Sequence, residues 1–252
     1  MFEASTEVFL FLLAAGFVAG FIDSIAGGGG LITLPALMLA GVPPVTALAT
    51  NKVQGLFGAG MAAITYARKG HVNLRQQVKP ALIAFAASLL GALCVNALPT
   101  DLIRWFLPVL LVAIALFFAL KPGLNDVDRH QRLTPLVFAL TFVPLVGFYD
   151  GLLGPGAGAF YMLAFVSMAG QGILKATAHT KLLNFASNVG GLAGFLIVLS
   201  PLWFVGIMMG AAQIAGAYAG ATLASRIGSK LIKPLLVIAS CAMAIKLVID
   251  LL

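Results

Sequence analysis

Charge is what this sequence has least of. Only 9% of its 252 residues are Asp, Glu, Lys or Arg. A soluble domain carries about 25%, so too little charge is present to build a water-facing surface. Acid is scarcer than base: eight Asp and Glu stand against 15 Lys and Arg, a formal net charge of +7. The basic residues sit in short segments between apolar runs, without a basic tail or an aromatic–basic platform. Nucleic acid is therefore not an expected partner, and the charge reads as orientation in a bilayer. Cysteine is nearly absent. Cys94 and Cys241 lack redox or metal-motif spacing and lie in apolar segments, where small buried packing residues are expected. The histidines, His71, His130 and His179, form no metal-ligand cluster, and no serine or cysteine has a plausible base and orienting partner. No enzyme activity, metal or cofactor is expected.

What is present is apolar: 61% of the chain. Long apolar segments alternate with short polar ones, the pattern of an all-α polytopic integral membrane protein. The N-terminus carries Glu3 and Glu7 where a signal peptide is basic, so Val8 to Ala26 reads as a retained first span. Four glycines follow, Gly27, Gly28, Gly29 and Gly30, each costing about 1 kcal/mol in a helix interior. The next run, Leu31 to Ala40, is half the ~20 residues a crossing needs, so a broken or re-entrant helix is expected. Pro43 and Pro44 stop it, and Val45 to Tyr66 is long enough to span. Further spans are expected at Pro80 to Leu98 and Leu102 to Leu120. The most polar stretch, within residues 121–133, divides a first repeat (1–120) from a second (134–252). The second has its own interruption, GFYDGLLGPGAG, then a short run from Ala159 to Ala169. Ile173 to Leu199, Leu202 to Leu223 and Leu231 to Leu251 complete it. The expectation is about eight full spans plus two short broken helices.

The halves can be laid over each other. Gly20 to Asp23 meets Gly147 to Asp150; Gly27 and Gly29 meet Gly154 and Gly156. With a two-residue insertion, Ala49 to Lys52 meets Ala178 to Lys181. Gly91-Ala92 meets Gly216-Ala217, and Arg104 to Pro108 meets Lys230 to Pro234. Paired Gly/Pro-interrupted segments in two halves point to a transporter binding site. If each short run counts as one crossing, the repeats are inverted, and loops 67–79 and 225–233 share one side with the linker. If each is a hairpin returning to its own side, the repeats are parallel and those loops face opposite sides. The charge pattern favours the inverted arrangement.

A glycine break before a short helix aims free N–H groups and the positive helix end at one point, a ready anion site. Gly27 to Gly30 and Gly154, Gly156 and Gly158 are the candidates; close packing by small residues is the alternative. This is not a nucleotide loop, since no Lys-Ser/Thr follows. Lys52 and Lys181 are candidate charge partners, because intramembrane charges mark pathways, although both lie near enough to a helix start to snorkel. Asn51, Gln54, Asn184 and Asn188 are candidate hydrogen-bond donors or, alternatively, glue between helices. Asp23 and Asp150 could pair with the lysines, cap the short helices, or bind a coupling proton or sodium ion. His179 is a candidate proton carrier or a polar wall residue.

GFIDSIAGGGGLITLPAL, ALATNK, GFYDGLLGPGAG and KATAHTKLLNFASN resemble the TauE/SafE (toluene-sulfonate uptake permease) family of membrane transporters, and the last three its YfcA-like branch. The resemblance covers nearly the whole chain. It implies a multi-pass protein of the bacterial inner membrane that moves small anions, typically sulfite, sulfonates or related sulfur-containing organic acids. The expected function is secondary transport, with access alternating as the repeats rock. The alternatives are a passive anion channel and a non-transporting assembly subunit.

Overall fold

The computed structural model describes residues 5–95, positions 116 and 120, and residues 125–249. The expected span over 102–120, with its Arg104 to Pro108 match, falls outside the described residues apart from 116 and 120. The described residues form helices and no strand. They are α1 (Thr6–Ala26), α2 (Gly30–Leu39), α3 (Pro44–Arg68), a short 3-10 turn (Leu74–Gln77) leading into α4 (Val78–Leu93), α5 (Pro135–Leu152), α6 (Ala157–Ser167), α7 (Ile173–Val198), α8 (Trp203–Ile227) and α9 (Ser229–Ile249).

Local chemistry sets the starts. Ser5 caps α1 by accepting the Val8 N–H at 3.3 Å, and Thr134 caps α5 by accepting the Val137 N–H at 3.3 Å. Pro44 and Pro135 open α3 and α5, where a missing N–H costs nothing. Among the described residues, five helical segments are long and apolar enough to cross a membrane: Thr6–Ala26, Leu74–Leu93, Pro135–Leu152, Ile173–Val198 and Trp203–Ile227. At 25 residues α3 is within one residue of the longest of these, roughly 37 Å at 1.5 Å per residue. Thr50, Asn51, Lys52 and Gln54 lower its hydropathy, and all four are buried against other helices.

The courses of the helices follow from their neighbours. α1 and α8 run parallel: Phe9 stacks on Phe204 at 5.8 Å, and further along, Gly16 meets Met209 and Gly20 meets Gln213. α4 and α5 run parallel as well, with Gly147 against Ala84 and Gly151 against Ser88. After the first break α2 turns back along α1, so that Leu34 and Leu37 cluster with Leu12, Val205 and Met209. After the second break α6 turns back along α5, and Phe165 lies 4.7 Å from Phe138. α3 and α7 pack on each other, each also on the fourth helix of the opposite half: α3 on α8, α7 on α4.

The polar linker gathers the helix ends on one side of the bundle. Asp126 accepts the Leu174 N–H at 3.0 Å and the Ser229 N–H at 2.9 Å, capping α7 and α9 with one carboxylate. Asp128 accepts the Gly172 N–H at 2.9 Å and pairs with Lys175. Burial works to raise the Asp128 carboxyl, but the Gly172 N–H and the Lys175 ammonium hold it below its ordinary value of 3.8. A carboxyl lowered by folding stabilises above its unfolded pKa and ceases to as pH falls through the folded one. Asp128→Asn is therefore expected to lower the melting temperature at pH 7, and to narrow its difference from the parent as pH falls below about 4; an equal deficit throughout the acid range would contradict this role.

One expectation is corrected. Cys94 and Cys241 are exposed, not buried. An apolar segment of a membrane protein need not turn every small residue inward, because lipid tails are as apolar as the packed interior.

Candidate functional site

The two glycine breaks touch at the middle of the bundle. Gly27 and Gly28 have φ of 78° and 98°, and Gly154 and Gly156 have φ of 91° and 82°, a region that favours glycine. A Cβ on Gly27 would sit 2.6 Å from the Ala159 nitrogen, and one on Gly158 would sit 2.9 Å from the Gly27 Cα. Only bare backbone permits that contact. From it α2 and α6 depart in opposite directions.

Their first turns are built alike. The Ile32 and Thr33 N–H groups donate to the Gly29 carbonyl at 3.0 and 3.1 Å; the Ala159 and Phe160 N–H groups donate to the Gly156 carbonyl at 2.9 and 3.1 Å. N–H groups ahead of these have no acceptor within their own helix. Each helix end contributes about half a positive elementary charge, and both ends face the same point.

A cavity of about 30 Å3 occupies that point. Gly28, Gly29, Gly30, Gly154, Gly156 and Gly158 line it, together with Asn51, Asn184, Asn188, Asp23 and Asp150. Asn51 is oriented from behind: its Oδ1 accepts from Thr33 Oγ1 at 2.6 Å and from Gln54 Nε2 at 3.0 Å. Its amide nitrogen is turned toward Gly30, 3.2 Å from where a Cβ there would lie. Asn184 stands in the same relation to Gly158, also at 3.2 Å. Asn188 donates to the Asn184 carbonyl at 2.7 Å.

The lysines pair across the halves. Lys52, 1% exposed, reaches from α3 to the end of α5, where its Nζ lies 2.6 Å from Asp150 Oδ1 and also donates to the Asp150 carbonyl. Lys181, 0% exposed, reaches from α7 to α1, where its Nζ lies 3.4 Å from Asp23 Oδ2 and donates to the Asp23 carbonyl. Such burial rules out snorkelling to an interface. Buried pairs persist only when their remaining polar atoms are satisfied. Here the Ser187 hydroxyl donates to Asp150 Oδ2, and the Gly29 N–H donates to Asp23 Oδ1 at 3.0 Å. The aspartates thus pair with lysines, and Asp23 also caps the first break.

The remaining expected residues lie off the cavity wall. Gly27 forms the contact beneath it, Gln54 buttresses Asn51, and Lys52 and Lys181 stand behind the carboxylates. His179 is elsewhere: its Nδ1 is 2.6 Å from Gln171 Oε1, in a separate cavity of about 400 Å3 lined also by Gln76, Arg129 and Lys175. His179 and Lys181 are two residues apart, about 200° around a helix, so they face opposite ways. Sequence reasoning missed Gln213 and Gly55 in the wall, and Ser187 and Thr33 behind it. Gln213 was detectable as a lone amide in an apolar run, and Ser187 as the position three after Asn184 on the polar face of its helix.

A family model described as sulfite exporter TauE/SafE matches residues 12–247. The chain belongs to the TauE/SafE family. Among its relatives in that family, "Probable membrane transporter protein ORF9" of Sinorhizobium is 56% identical over 250 residues, 99% of this chain and 96% of that one. "Probable membrane transporter protein YfcA" of Escherichia coli K12 is 46% identical over 250 residues, covering 99% and 93%. "Probable membrane transporter protein YdhB" of Bacillus subtilis is 24% identical over 222 residues, covering 85% and 88%. No solved structure matches the chain. TauE/SafE membership and the apolar helices together make this a multi-pass membrane protein.

Proposed function

We propose that this TauE/SafE protein is a secondary transporter of small anions in a bacterial inner membrane, with sulfite, sulfonates and related sulfur-containing acids as its substrate class. The observation that carries the reading is the meeting of two helix N-termini at one polar cavity, with two carboxylates, Asp150 buried and Asp23 partly exposed, each already paired with a buried lysine. An anion entering there meets partial positive charge, backbone N–H groups and the amides of Asn51 and Asn184. The family's description as sulfite exporter and the relatives' names as membrane transporters support the reading. Lys52 and Lys181 act in it as compensating charges held behind the site.

The halves read as inverted repeats with about eight spans. The opposed courses of α2 and α6, and the polar segments gathered at one end, support this arrangement. Alternating access then takes a particular form. The glycine seams α1–α8 and α4–α5, and both ion pairs, join one half to the other. The bodies that rock therefore combine helices from both halves.

Proteoliposomes carrying the purified protein test the reading against sulfite, thiosulfate, methanesulfonate and carboxylates, with and without a pH gradient. Uptake of at least one sulfur anion is expected, accelerated by unlabelled substrate preloaded inside. Uptake without that acceleration would indicate a pore, and no uptake by correctly inserted protein would overturn the proposal. Asn51→Leu and Asn184→Leu each remove a hydrogen bond to a charged group, worth about 1.5–3 kcal/mol, and are expected to slow uptake about tenfold or more while leaving the protein folded.

A further inference from the structure

Asp23 and Asp150 hold corresponding places in the two halves, but their surroundings differ. Asp150 is 3% exposed at its side chain, and both oxygens are engaged: Oδ1 with Lys52 at 2.6 Å, Oδ2 with the Ser187 hydroxyl. Asp23 is 16% exposed at its side chain. Its Oδ1 accepts the Gly29 N–H at 3.0 Å, while Oδ2 stands 3.4 Å from Lys181, beyond the 2.7–2.9 Å of a charge-assisted hydrogen bond. Of the two carboxylates that face the cavity, Asp23 is held less tightly and is more open.

The charge of the site decides what this difference can do. With both pairs ionised, Lys52, Asp150, Lys181 and Asp23 sum to zero. An entering anion then lies beside two carboxylates on the cavity wall, each nearer to it than the lysine behind, so each repels it more than its lysine attracts it. A proton on Asp23 removes one repulsion. It also leaves the buried Lys181 charge uncompensated, and the anion supplies the compensation. Proton and anion therefore favour each other's binding, and by linkage the effect is reciprocal.

We propose that Asp23 is the proton-binding residue of the transport cycle: one proton is taken onto its carboxylate for each monovalent anion bound, while Asp150 stays ionised against Lys52. The proton comes from water and forms an O–H bond on Asp23. The Lys181–Asp23 ion pair is what breaks. Lys181 keeps its hydrogen bond to the Asp23 carbonyl. This rests on the anion-transport reading and adds its coupling: anion and proton move together.

The charged and titratable groups around Asp23 fit this role. Lys181 faces it from α7 and Asp150 from α5 across the cavity. From α3 come Lys52, bound to Asp150, and the Tyr66 hydroxyl, donated to the Ser24 carbonyl at 2.9 Å. α8 presents Gln213, which does not titrate, while its Tyr218 and Arg226 are exposed; α2 and α6 bring no charge. α9, also packed on α1, carries Lys230 and Lys233 at its linker end, with Lys230 exposed.

Calorimetric titration of the full chain in nanodiscs tests the proposal. Methanesulfonate is the probe, because its own charge does not titrate, with thiosulfate as the second. Titrating in two buffers of different ionisation enthalpy gives the protons taken up on binding. About one proton per methanesulfonate is expected, with affinity falling by up to about tenfold per pH unit as pH rises. Asp23→Asn is expected to bind methanesulfonate with no proton uptake and no pH dependence. If that variant does not fold, Asp23→Asn with Lys181→Gln removes both charges and is expected to take up none. Proton uptake that survives both Asp23 variants, or binding to the parent without uptake, overturns the role of Asp23 alone. Failure of folded parent protein to bind either probe overturns the anion reading beneath it.

Discussion

Lys52→Met is expected to destabilise the protein by about 3–5 kcal/mol, the penalty for stranding one member of a buried ion pair. Asp150 is the member stranded. It sits 3% exposed at the end of α5, with only the Ser187 hydroxyl left to it. The double variant Lys52→Met/Asp150→Leu removes both charges and is expected to regain most of the loss, because well-packed apolar replacements of buried pairs are often neutral or better. Thermal unfolding in detergent, followed by size-exclusion chromatography of the surviving fraction, measures all three proteins. A single variant as stable as the parent would mean that Lys52 and Asp150 are not paired in the folded protein. Lys181→Met is expected to cost less than Lys52→Met, since Asp23 is further away at 3.4 Å and partly exposed.

Gly151→Ala is the second large effect. A Cβ at Gly151 would lie 1.8 Å from the Ser88 carbonyl oxygen and 2.5 Å from the Ser88 carbonyl carbon. Both atoms are backbone, so α4 and α5 must part. Overpacking of this kind costs about 1–3 kcal/mol and sometimes more. The damage also travels to the site. The Ser88 hydroxyl donates to the Ser187 carbonyl at 2.5 Å, and the Ser187 hydroxyl holds Asp150. Gly151→Ala is thus expected to lower both melting temperature and anion uptake. Gly60→Ala is the control: its Cβ would meet only the Phe185 ring, at 3.1 Å, which can turn aside. Equal effects from the two substitutions would show that the α4–α5 seam is not tight.

Much of the site was legible in the sequence because it is locally encoded. Four glycines in a row cannot continue a helix, and a ten-residue apolar run cannot cross a bilayer. Those two facts locate α2, and the same reasoning locates α6. The match between halves singled out Lys52 with Lys181 and Asp23 with Asp150. His179 was singled out too, by its place in that match, yet it faces the linker end. Helical geometry could have separated it from Lys181; the match of the halves could not, since it records order along the chain and not direction around it.

The sequence by itself determined the helices, their breaks and which four charged residues stand beside them, because each depends on residues within a few turns of one another. Only the tertiary structure decided which aspartate each lysine serves. Lys52 lies 29 residues after Asp23 yet pairs with Asp150, from the other half. It does so because α3 and α7 pack face to face at the centre, where each presents its lysine to the opposite break. The tertiary structure also brought the two glycine breaks into contact, turning two separate helix ends into one place for an anion. Gln213 joined that place for the same reason: α1 and α8 approach through glycine, and the space left beside Gly20 and Gly58 is filled from across the bundle.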